Sequence, residues 1–225
     1  MNKLLIIMVS LLLFSAGIQA FATDVTEEKI VYTINGLGKA EYNDLGVVDY
    51  QNRKLKLTTF HTIVTGFKDL EKIYSDPETG LPFRVERSIS WPLSKEYITE
   101  EYFSETNSLV VKKYKNDKLV KEYSYKAKGP IHNAILLPFS LRKEGDFQIG
   151  WSFDVRFLDE YKITLSSIEE IKVNAKKFMA YHFTSEPPKF EIWISKDKYR
   201  IPLVIKGSSG LGYTMRMLSH LPDEK

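Results

Sequence analysis

The most informative absence in this 225-residue sequence is that of cysteine. Without a thiol, the chain has no disulfide, no thiol nucleophile, no cysteine-ligated metal and no lipid-carrying cysteine of a bacterial lipoprotein. Net charge is also small, because 32 lysines and arginines face 29 acidic residues, which excludes a protein that binds polyanions by net charge alone. What remains is 43% hydrophobic, 27% charged and 13% aromatic, the composition of a folded globular protein.

The sequence is equally poor in catalytic and ligand-binding motifs. Its four histidines form neither an H-x-H nor an H-E-x-x-H pattern. The G-S-S-G sequence at 207–210 lacks the strand–turn–helix context of a hydrolase nucleophile, and no glycine-rich stretch has the dinucleotide-binding pattern. Adjacent acids, as at 100–101 and 169–170, would point to opposite faces of a strand and so cannot act together on one substrate. We therefore expect no catalysis, no metal and no cofactor.

The start of the chain has the pattern of a secretory signal peptide. Lys3 precedes an apolar run at 4–14, and the A-x-A sequence at 20–22 fits a cleavage site. The apolar run is too short to span a bilayer, although an uncleaved anchor is the alternative. The sequence predicts an exported periplasmic protein that is not a lipoprotein, with cleavage after Ala22. The mature chain, 23–225, is expected to be a single domain without a transmembrane span and without affinity for nucleic acid.

Residues beyond this segment alternate between apolar and polar types, as antiparallel strands with one buried face do. The alternation is clearest at 83–91, 149–157 and 177–183. Turn signals separate such stretches, for example the N-D pair at 116–117 and the D-P-E-T-G sequence at 76–80. The expected fold is mainly β and antiparallel, with about eleven strands.

One segment, 129–142, lacks this alternation. Ile131, Ile135 and Phe139 recur every four residues, which predicts a short helix lying on the sheet. Pro138 limits that helix, because a proline in a helix interior removes a hydrogen bond, unless it opens a second short turn.

Two features leave alternatives open. Lysines between 112 and 121 make one hairpin basic, which indicates either a solvated edge protected against aggregation or attraction to anionic lipid headgroups or glycan phosphates. The 13 tyrosines, 13 phenylalanines and three tryptophans are many for a sheet protein with one helix. These aromatic residues either pack a closed core or line a cavity.

A resemblance to a known family rests on the stretch 191–205, which reads E-I-W-I-S-K-D-K-Y-R-I-P-L-V-I. Together with the L-R pair at 141–142, Gly150 and a glycine-bearing hairpin before the last strand, it resembles the exported bacterial family catalogued as domain of unknown function 3108. The resemblance implies a strongly curved sheet, an open half-barrel with a helix in its opening, similar in shape to periplasmic carriers of lipoproteins. Two departures from the family pattern, the N-A pair at 174–175 and Pro138, concern local turn geometry.

The residues that carry the resemblance also have a structural explanation. Trp193 would lie on one face of a strand, and Asp197 could pair with Arg200 across a turn. Pro202, which has no N–H, suits a strand start or an edge.

Two hypotheses about function follow. In the first, the protein binds an apolar ligand, a lipid or an acyl chain, in the half-barrel cavity behind a helix gate. The candidate cavity and gate residues are Ile131, Ile135, Phe139, Trp151 and Trp193. In the second, it is a structural or protein-interaction component of the cell envelope without a small-molecule ligand. A deep apolar cavity would favour the first hypothesis, and a filled core with an exposed apolar edge the second.

Overall fold

The computed structural model describes residues 28–145, 147–208 and 212–221. The predicted signal peptide and its cleavage site lie outside the described residues. In the ranges that are described, no helix is long and apolar enough to cross a membrane.

The described chain is a succession of strands with one short α-helix and one 3-10 turn. The strands are β1 (Glu28–Ile34), β2 (Gly38–Tyr50), β3 (Arg53–Val64), β4 (Phe67–Ser75), β5 (Pro82–Trp91), β6 (Ser94–Phe103), β7 (Ser108–Lys115), β8 (Lys118–Lys126), β9 (Ser152–Arg156), β10 (Glu160–Val173), β11 (Lys176–Glu186), β12 (Phe190–Ser195), β13 (Pro202–Gly207) and β14 (Tyr213–Leu221). Helix α1 covers Leu137–Leu141, and the 3-10 turn covers Ser104–Thr106.

Within the described residues the sheet has fourteen strands rather than about eleven, and weakly marked turns explain the difference. The Q-N pair at 51–52 has φ of +50° and +61°, and the N-A pair at 174–175 has φ of +49° and +66°. Both make tight hairpins without the Gly or Pro that usually marks them. The predicted hairpin at 116–117 is present, with φ of +47° and +64°.

All fourteen strands belong to one open antiparallel meander. Consecutive strands pair with each other except β8 and β9, and β1 also pairs with β14, which joins the two ends of the described chain. The two free edges are β8 and β9. These strands are consecutive in sequence, so residues 127–151 must pass from one edge to the other. The predicted fold class, mainly β with one open antiparallel sheet and a short helix, is confirmed.

The C-terminal part of the sheet curls on itself. Three strands separate β10 from β14, which in a flat sheet would place them about 19 Å apart. Yet Asn174 Nδ2, at the end of β10, donates to the carbonyl oxygens of Met217 and Leu218 in β14, at 2.7 and 3.1 Å. This curl encloses the main hydrophobic core, which also includes side chains of β1, β2 and α1. Tyr32 and Phe183 are among its fully buried members.

Candidate functional site

The connecting segment, residues 127–151, bridges the two free edges of the sheet. At its start the N–H of Ala127 donates to the carbonyl oxygen of Asn107, in the turn before β7, at 2.8 Å. Farther along, the N–H of His132 donates to the carbonyl oxygen of Arg156 in β9, at 2.6 Å. The segment therefore spans the gap between the two free edges of the sheet.

Asn133 directs the chain into α1. Its Oδ1 accepts the N–H groups of Ile135 (2.9 Å) and Leu136 (3.2 Å), a local turn made by a side chain. Pro138 lies in the first turn of α1, where the missing N–H removes no helical hydrogen bond. Of the two alternatives for Pro138, the structure has the one in which this proline opens a short turn.

The helix is shorter than the four-residue spacing predicts, since only Phe139 of the three gate residues lies in it. The three also contact different groups of core residues. Ile131 packs with Leu109 of β7, and Phe139 stacks on Tyr42 of β2 with ring centroids 3.6 Å apart. Ile135 is half-buried between two clusters. The spacing of these residues reflects three separate packing contacts rather than one gate face.

Arg142, just after α1, clamps the connecting segment to the first strand. Its guanidinium forms two hydrogen bonds with the carboxylate of Glu28, one of them at 2.8 Å, and His220 Nε2 lies 2.9 Å from Glu28 Oε1. Burial alone would raise the pKa of Glu28, but the hydrogen bonds and charges of Arg142 and His220 outweigh it and hold the pKa below its ordinary value. The clamp is therefore a charge-assisted pair in a mostly buried place.

The two predicted tryptophans lie in different surroundings. Trp151, at the end of the connecting segment, packs edge-on to Phe147 and Phe183 with centroids 5.1 and 6.1 Å away. Trp193 is itself buried, with 7% of its surface exposed, but it points to the opposite face of β12 from Ile192, because neighbours in a strand alternate. Trp193 therefore shares no cavity with the gate residues.

On the outer face, Trp193 is held by polar partners. Its ring stacks on His182 at 4.0 Å, its Nε1 donates to Glu169 Oε1 at 2.6 Å, and Lys206 Nζ lies 4.5 Å from the ring centroid. This arrangement agrees with the structural explanation of Trp193.

The other residues of the family stretch have mainly structural contacts. Asp197 Oδ1 accepts from Ser195 Oγ (2.9 Å) and from the main-chain N–H of Arg200 (3.2 Å). The Arg200 guanidinium instead donates to main-chain carbonyls of the connecting segment, that of Gly145 at 3.1 Å among them. Pro202 is the first residue of β13, the strand start expected for it. Asp197 and Arg200 thus pair through the main-chain N–H of Arg200, which closes the turn, and not through its guanidinium.

Of the five predicted residues, Ile131 and Phe139 each line a small cleft, of about 60 and 20 Å³. Two larger, adjoining clefts open beside the connecting segment, and none of the five lines them. The first, about 250 Å³, has apolar walls that include Leu81, Leu137 and Phe153, with Ser140 at its edge. The second, about 490 Å³, is lined mainly by polar side chains of β9 and β10. The clefts share His132 and a neighbouring proline. A larger groove of about 650 Å³ lies near the last hairpin and borders residues outside the description.

His132 is the functional candidate that sequence reasoning missed. Burial lowers its pKa, and the charge of Arg156 lowers it further, against the effect of a hydrogen bond to the Arg156 backbone. The imidazole is therefore neutral at pH 7, and it lies edge-on to Phe153 at 5.7 Å. Its position where two clefts meet depends on the pairing of residues 24 apart, which the sequence did not signal.

A second group of polar residues lies on strands β4 to β6. Arg87 Nε donates to both carboxylate oxygens of Asp69, at 3.0 and 2.9 Å, and lies 3.4 Å from Glu71 Oε1. Burial raises the pKa of Glu71 to about 7, because Arg87 is already engaged by Asp69 and offsets the burial only in part. Glu100 and Glu101 have separate partners, as expected of neighbours on opposite faces.

One arrangement resembles a nucleophile with its base. Ser167 Oγ lies 3.4 Å from His182 Nδ1, and His182 Nε2 lies 3.0 Å from Glu191 Oε2. A nucleophile and its base usually lie about 2.6–3.2 Å apart, whereas the serine–histidine distance here is longer, and Ser167 lies at a bulge between β10 and β11. The chain of contacts therefore supports the outer face of the sheet. Within residues 28–145, 147–208 and 212–221, no three His, Asp or Glu side chains are grouped so as to hold a metal ion.

The family model described as protein of unknown function (DUF3108) matches residues 25–218 of this sequence. The chain belongs to the DUF3108 family. This match covers β1 to β13, the connecting segment and most of β14, so both clefts are parts of the DUF3108 domain. No curated protein sequence matches the chain.

The DUF3108 chain is also similar to a solved structure. This is the crystal structure of the beta-barrel-like protein of domain of unknown function DUF1849 from Brucella abortus, with a TM-score of 0.53 and 8% sequence identity. The likeness covers 88% of this chain and 98% of that one. At this identity it concerns the fold alone, and it agrees with an open β half-barrel.

Proposed function

We propose that this protein is an exported, periplasmic and non-catalytic binding protein whose ligand is an amphiphile, a lipid or another molecule with an acyl chain. The observation that carries the proposal is the meeting of the two clefts at His132, one with apolar walls and one with polar walls. Ligand sites commonly combine an apolar lining with a few polar groups that fix orientation. Export is supported by the signal pattern at 1–22.

The apolar chain would lie in the 250 Å³ cleft against Leu81, Leu137 and Phe153. Its head would occupy the adjoining 490 Å³ cleft, whose lining carries charges of both signs. Arg156 is partnered by Glu160, and Lys162 lies across the sheet from Asp154 and Glu186, so the cleft offers polar partners to a head without favouring a negative one.

A long acyl chain requires the connecting segment to move. The apolar cleft is smaller than the roughly 300–1,000 Å³ of typical ligand pockets. The connecting segment is held at His132 by one edge of the sheet and at Arg142 by the clamp to Glu28. A shift of α1 between these two points would enlarge the cleft and leave both attachments intact.

The test fills the cleft. Phe153→Trp and Ser140→Leu each add side-chain volume to the apolar cleft, whereas Ser88→Phe adds it at an exposed position of β5 as a matched control. Binding of a fluorescent fatty acid is measured below its micelle concentration, without vesicles, and thermal unfolding confirms that each variant folds. We expect both cleft variants to lose affinity and the control to keep it. Wild-type protein that binds no probe, or cleft variants that bind like the control, would contradict the proposal.

The second candidate function, a protein-interaction component of the envelope, is favoured by a different observation. The described interior is largely filled by side chains, and β8 is a free edge exposed on both faces, with Leu119 and Val120 uncovered. A partner peptide can add to such an edge as a further strand. Its test is β8 amide hydrogen exchange with and without envelope extract. Slower exchange in β8 alone, in a protein that binds no fatty acid, would support this second function.

A further inference from the structure

The hairpin turns along one end of the sheet form a continuous surface that the proposed ligand site does not use. In an antiparallel meander, successive turns alternate between the two ends. The turns after β1, β3, β5, β7, β9, β11 and β13 therefore share one end. We name the part of this end that runs from β14 to β8, residues 35–39, 64–68, 91–95, 115–120 and 212–214, the turn rim.

Direct contacts join the turns on the β1 side of the rim. The N–H of Asn35 donates to the carbonyl oxygen of Thr214 (2.9 Å), and the N–H of Thr214 donates to Asn35 Oδ1 (2.7 Å). On the other side of the same turn, Gly38 lies so close to Val64 that a Cβ on the glycine would come within 2.7 Å of Val64 Cγ2. Three neighbouring turns are thus in contact.

The contacts continue toward the free edge. The rings of Phe67 and Trp91 pack with centroids 4.6 Å apart. The N–H of Asn116 donates to the carbonyl oxygen of Lys95 at 3.1 Å. The rim is therefore one surface from β14 to β8 rather than a set of separate loops.

This surface is unusually apolar for exposed turns. Leu93 is 97% exposed and Leu37 is 81% exposed. The large apolar side chains exposed on the rim are Leu37, Trp91, Leu93, Leu119, Val120 and Tyr213. Exposed apolar groups that form a continuous surface mark an interaction site more often than scattered ones.

The rim is also basic. It carries one acidic residue, Asp117, and five lysines. These lysines are Lys39, Lys68, Lys95, Lys115 and Lys118, all exposed.

The turns at the opposite end of the sheet provide an internal comparison. They comprise residues 51–52, 76–81, 104–107, 174–175 and 196–201. Within these five described turns and the one or two strand residues beside each, the only large apolar side chain that is exposed is Phe103. Lysines flank the turns at both ends of the sheet, so the property of one end alone is its exposed apolar tips.

We propose that the turn rim docks on an anionic lipid bilayer surface. Lysines near such a surface each contribute a favourable interaction with the phosphates. Trp91 and Leu93 suit the headgroup–acyl boundary, since aromatic side chains concentrate at that depth and exposed leucines gain by leaving water. Charge complementarity favours this occupant, because a surface with five lysines and one aspartate meets a negatively charged one. Docking would hold the protein at a membrane without a spanning segment.

The experiment compares vesicles of phosphatidylcholine with vesicles that also contain phosphatidylglycerol. The rim variant combines Leu93→Ser, Lys95→Ser and Lys118→Ser, and the matched control combines Ile149→Ser, Lys54→Ser and Lys172→Ser. All six positions are exposed, and the control positions lie outside the rim. Co-sedimentation gives affinity, and quenching of tryptophan fluorescence by brominated lipid reports insertion of Trp91, with Trp91→Phe as its reference.

We expect wild type and control to bind vesicles that contain phosphatidylglycerol, with an affinity that falls as salt is added. The rim variant should lose roughly fivefold per lysine, and more for the leucine. Equal binding to uncharged vesicles, equal binding by rim and control variants, or no quenching of Trp91 would overturn the proposal. So would a rim variant that changes only self-association, which would make the rim a contact between copies. Ser140→Leu should bind vesicles normally and the rim variant should bind soluble fatty acid normally, so the two proposals fail independently.

Discussion

The two halves of this sheet are stabilised in different ways. Strands β9 to β14, with β1, β2 and α1, surround one large cluster of buried apolar side chains. Strands β4 to β7 contribute to two clusters of only three buried residues each, and each cluster includes one residue from the connecting segment. Strands β4 and β5 also carry a buried or partly buried charged group, Asp69 and Glu71 with Arg87.

The difference shows which half determines stability. Burial of apolar area is the main favourable contribution to folding, so most of the stabilisation comes from the curled C-terminal half. The N-terminal half depends on the connecting segment for its apolar contacts, and charged side chains occupy part of its inner face. Local opening is therefore expected to start in the N-terminal half.

The largest effect is predicted for the clamp that ties the connecting segment to the C-terminal half. Arg142→Ala leaves the Glu28 carboxylate mostly buried without its main partner, and should lower the free energy of unfolding by about 3 kcal/mol. Lys54→Ala, which breaks a well-exposed pair with Asp49, should cost less than about 1 kcal/mol. Urea unfolding measures both.

The same clamp has a defined pH dependence. The pKa of Glu28 is lowered in the folded protein from an ordinary value of 4.5. Its contribution is therefore present above that value and is lost as the pH falls through the folded pKa. The difference in the free energy of unfolding between wild type and Arg142→Ala should therefore become smaller over this acidic range. A deficit that stays constant down to low pH would mean that packing of the arginine stem, not its charge, holds the connecting segment.

A smaller effect of opposite sign is predicted for the charged inner face of the N-terminal half. Because burial raises the pKa of Glu71 to about 7, the folded protein binds a proton there that the unfolded chain has already released. Stability is therefore lost as the pH rises from the unfolded pKa to about 7, and the penalty is complete above it.

Glu71→Gln should thus stabilise the protein by about 1–3 kcal/mol above neutrality and have little effect near pH 4. Glu96→Gln is the matched control, because Glu96 is paired with Lys113 at 2.8 Å and its substitution removes a favourable contact. Urea unfolding at acidic and alkaline pH separates the two variants. If Glu71→Gln destabilised the protein at alkaline pH, the carboxylate would be ionised and well compensated by Arg87.

Features that depend on residues close in sequence could be predicted from the sequence. Alternation of residue types predicts strands wherever one face is buried, and the N-D pair at 116–117 and Pro202 behave as their local chemistry predicts. Both depend on residues close in sequence. The family stretch at 191–205 is also one continuous piece of sequence, and it predicts the family and, through the family, an open half-barrel.

Contacts between distant residues are what local patterns do not encode. Arg142 and Glu28 are 114 residues apart, and His220 and Glu28 are 192 apart. Their meeting depends on the register of every intervening strand, and a one-residue slip would send each side chain to the other face. The same holds for His132, whose place between two clefts depends on the pairing of the connecting segment with β9.

The smallest effect is predicted at the free edge of the N-terminal half. Tyr123 in β8 is 39% exposed, so Tyr123→Ala should change the free energy of unfolding by less than about 0.5 kcal/mol. Tyr181 in β11 is 8% exposed and packs edge-on to Phe147 at 5.1 Å, so Tyr181→Ala should cost about 3 kcal/mol.

Hydrogen exchange sharpens the same comparison, because it separates local from global opening. Amides of β8 should exchange through fraying that added denaturant barely accelerates, whereas amides of β11 should exchange only on global unfolding. The other free edge is an internal reference, since β9 is covered at Arg156 by the N–H of His132. Its amides should exchange more slowly than those of β8. Equal protection of β8 and β11, together with a cost above about 1 kcal/mol for Tyr123→Ala, would mean that the sheet unfolds as one cooperative unit and that the two halves do not differ in stability.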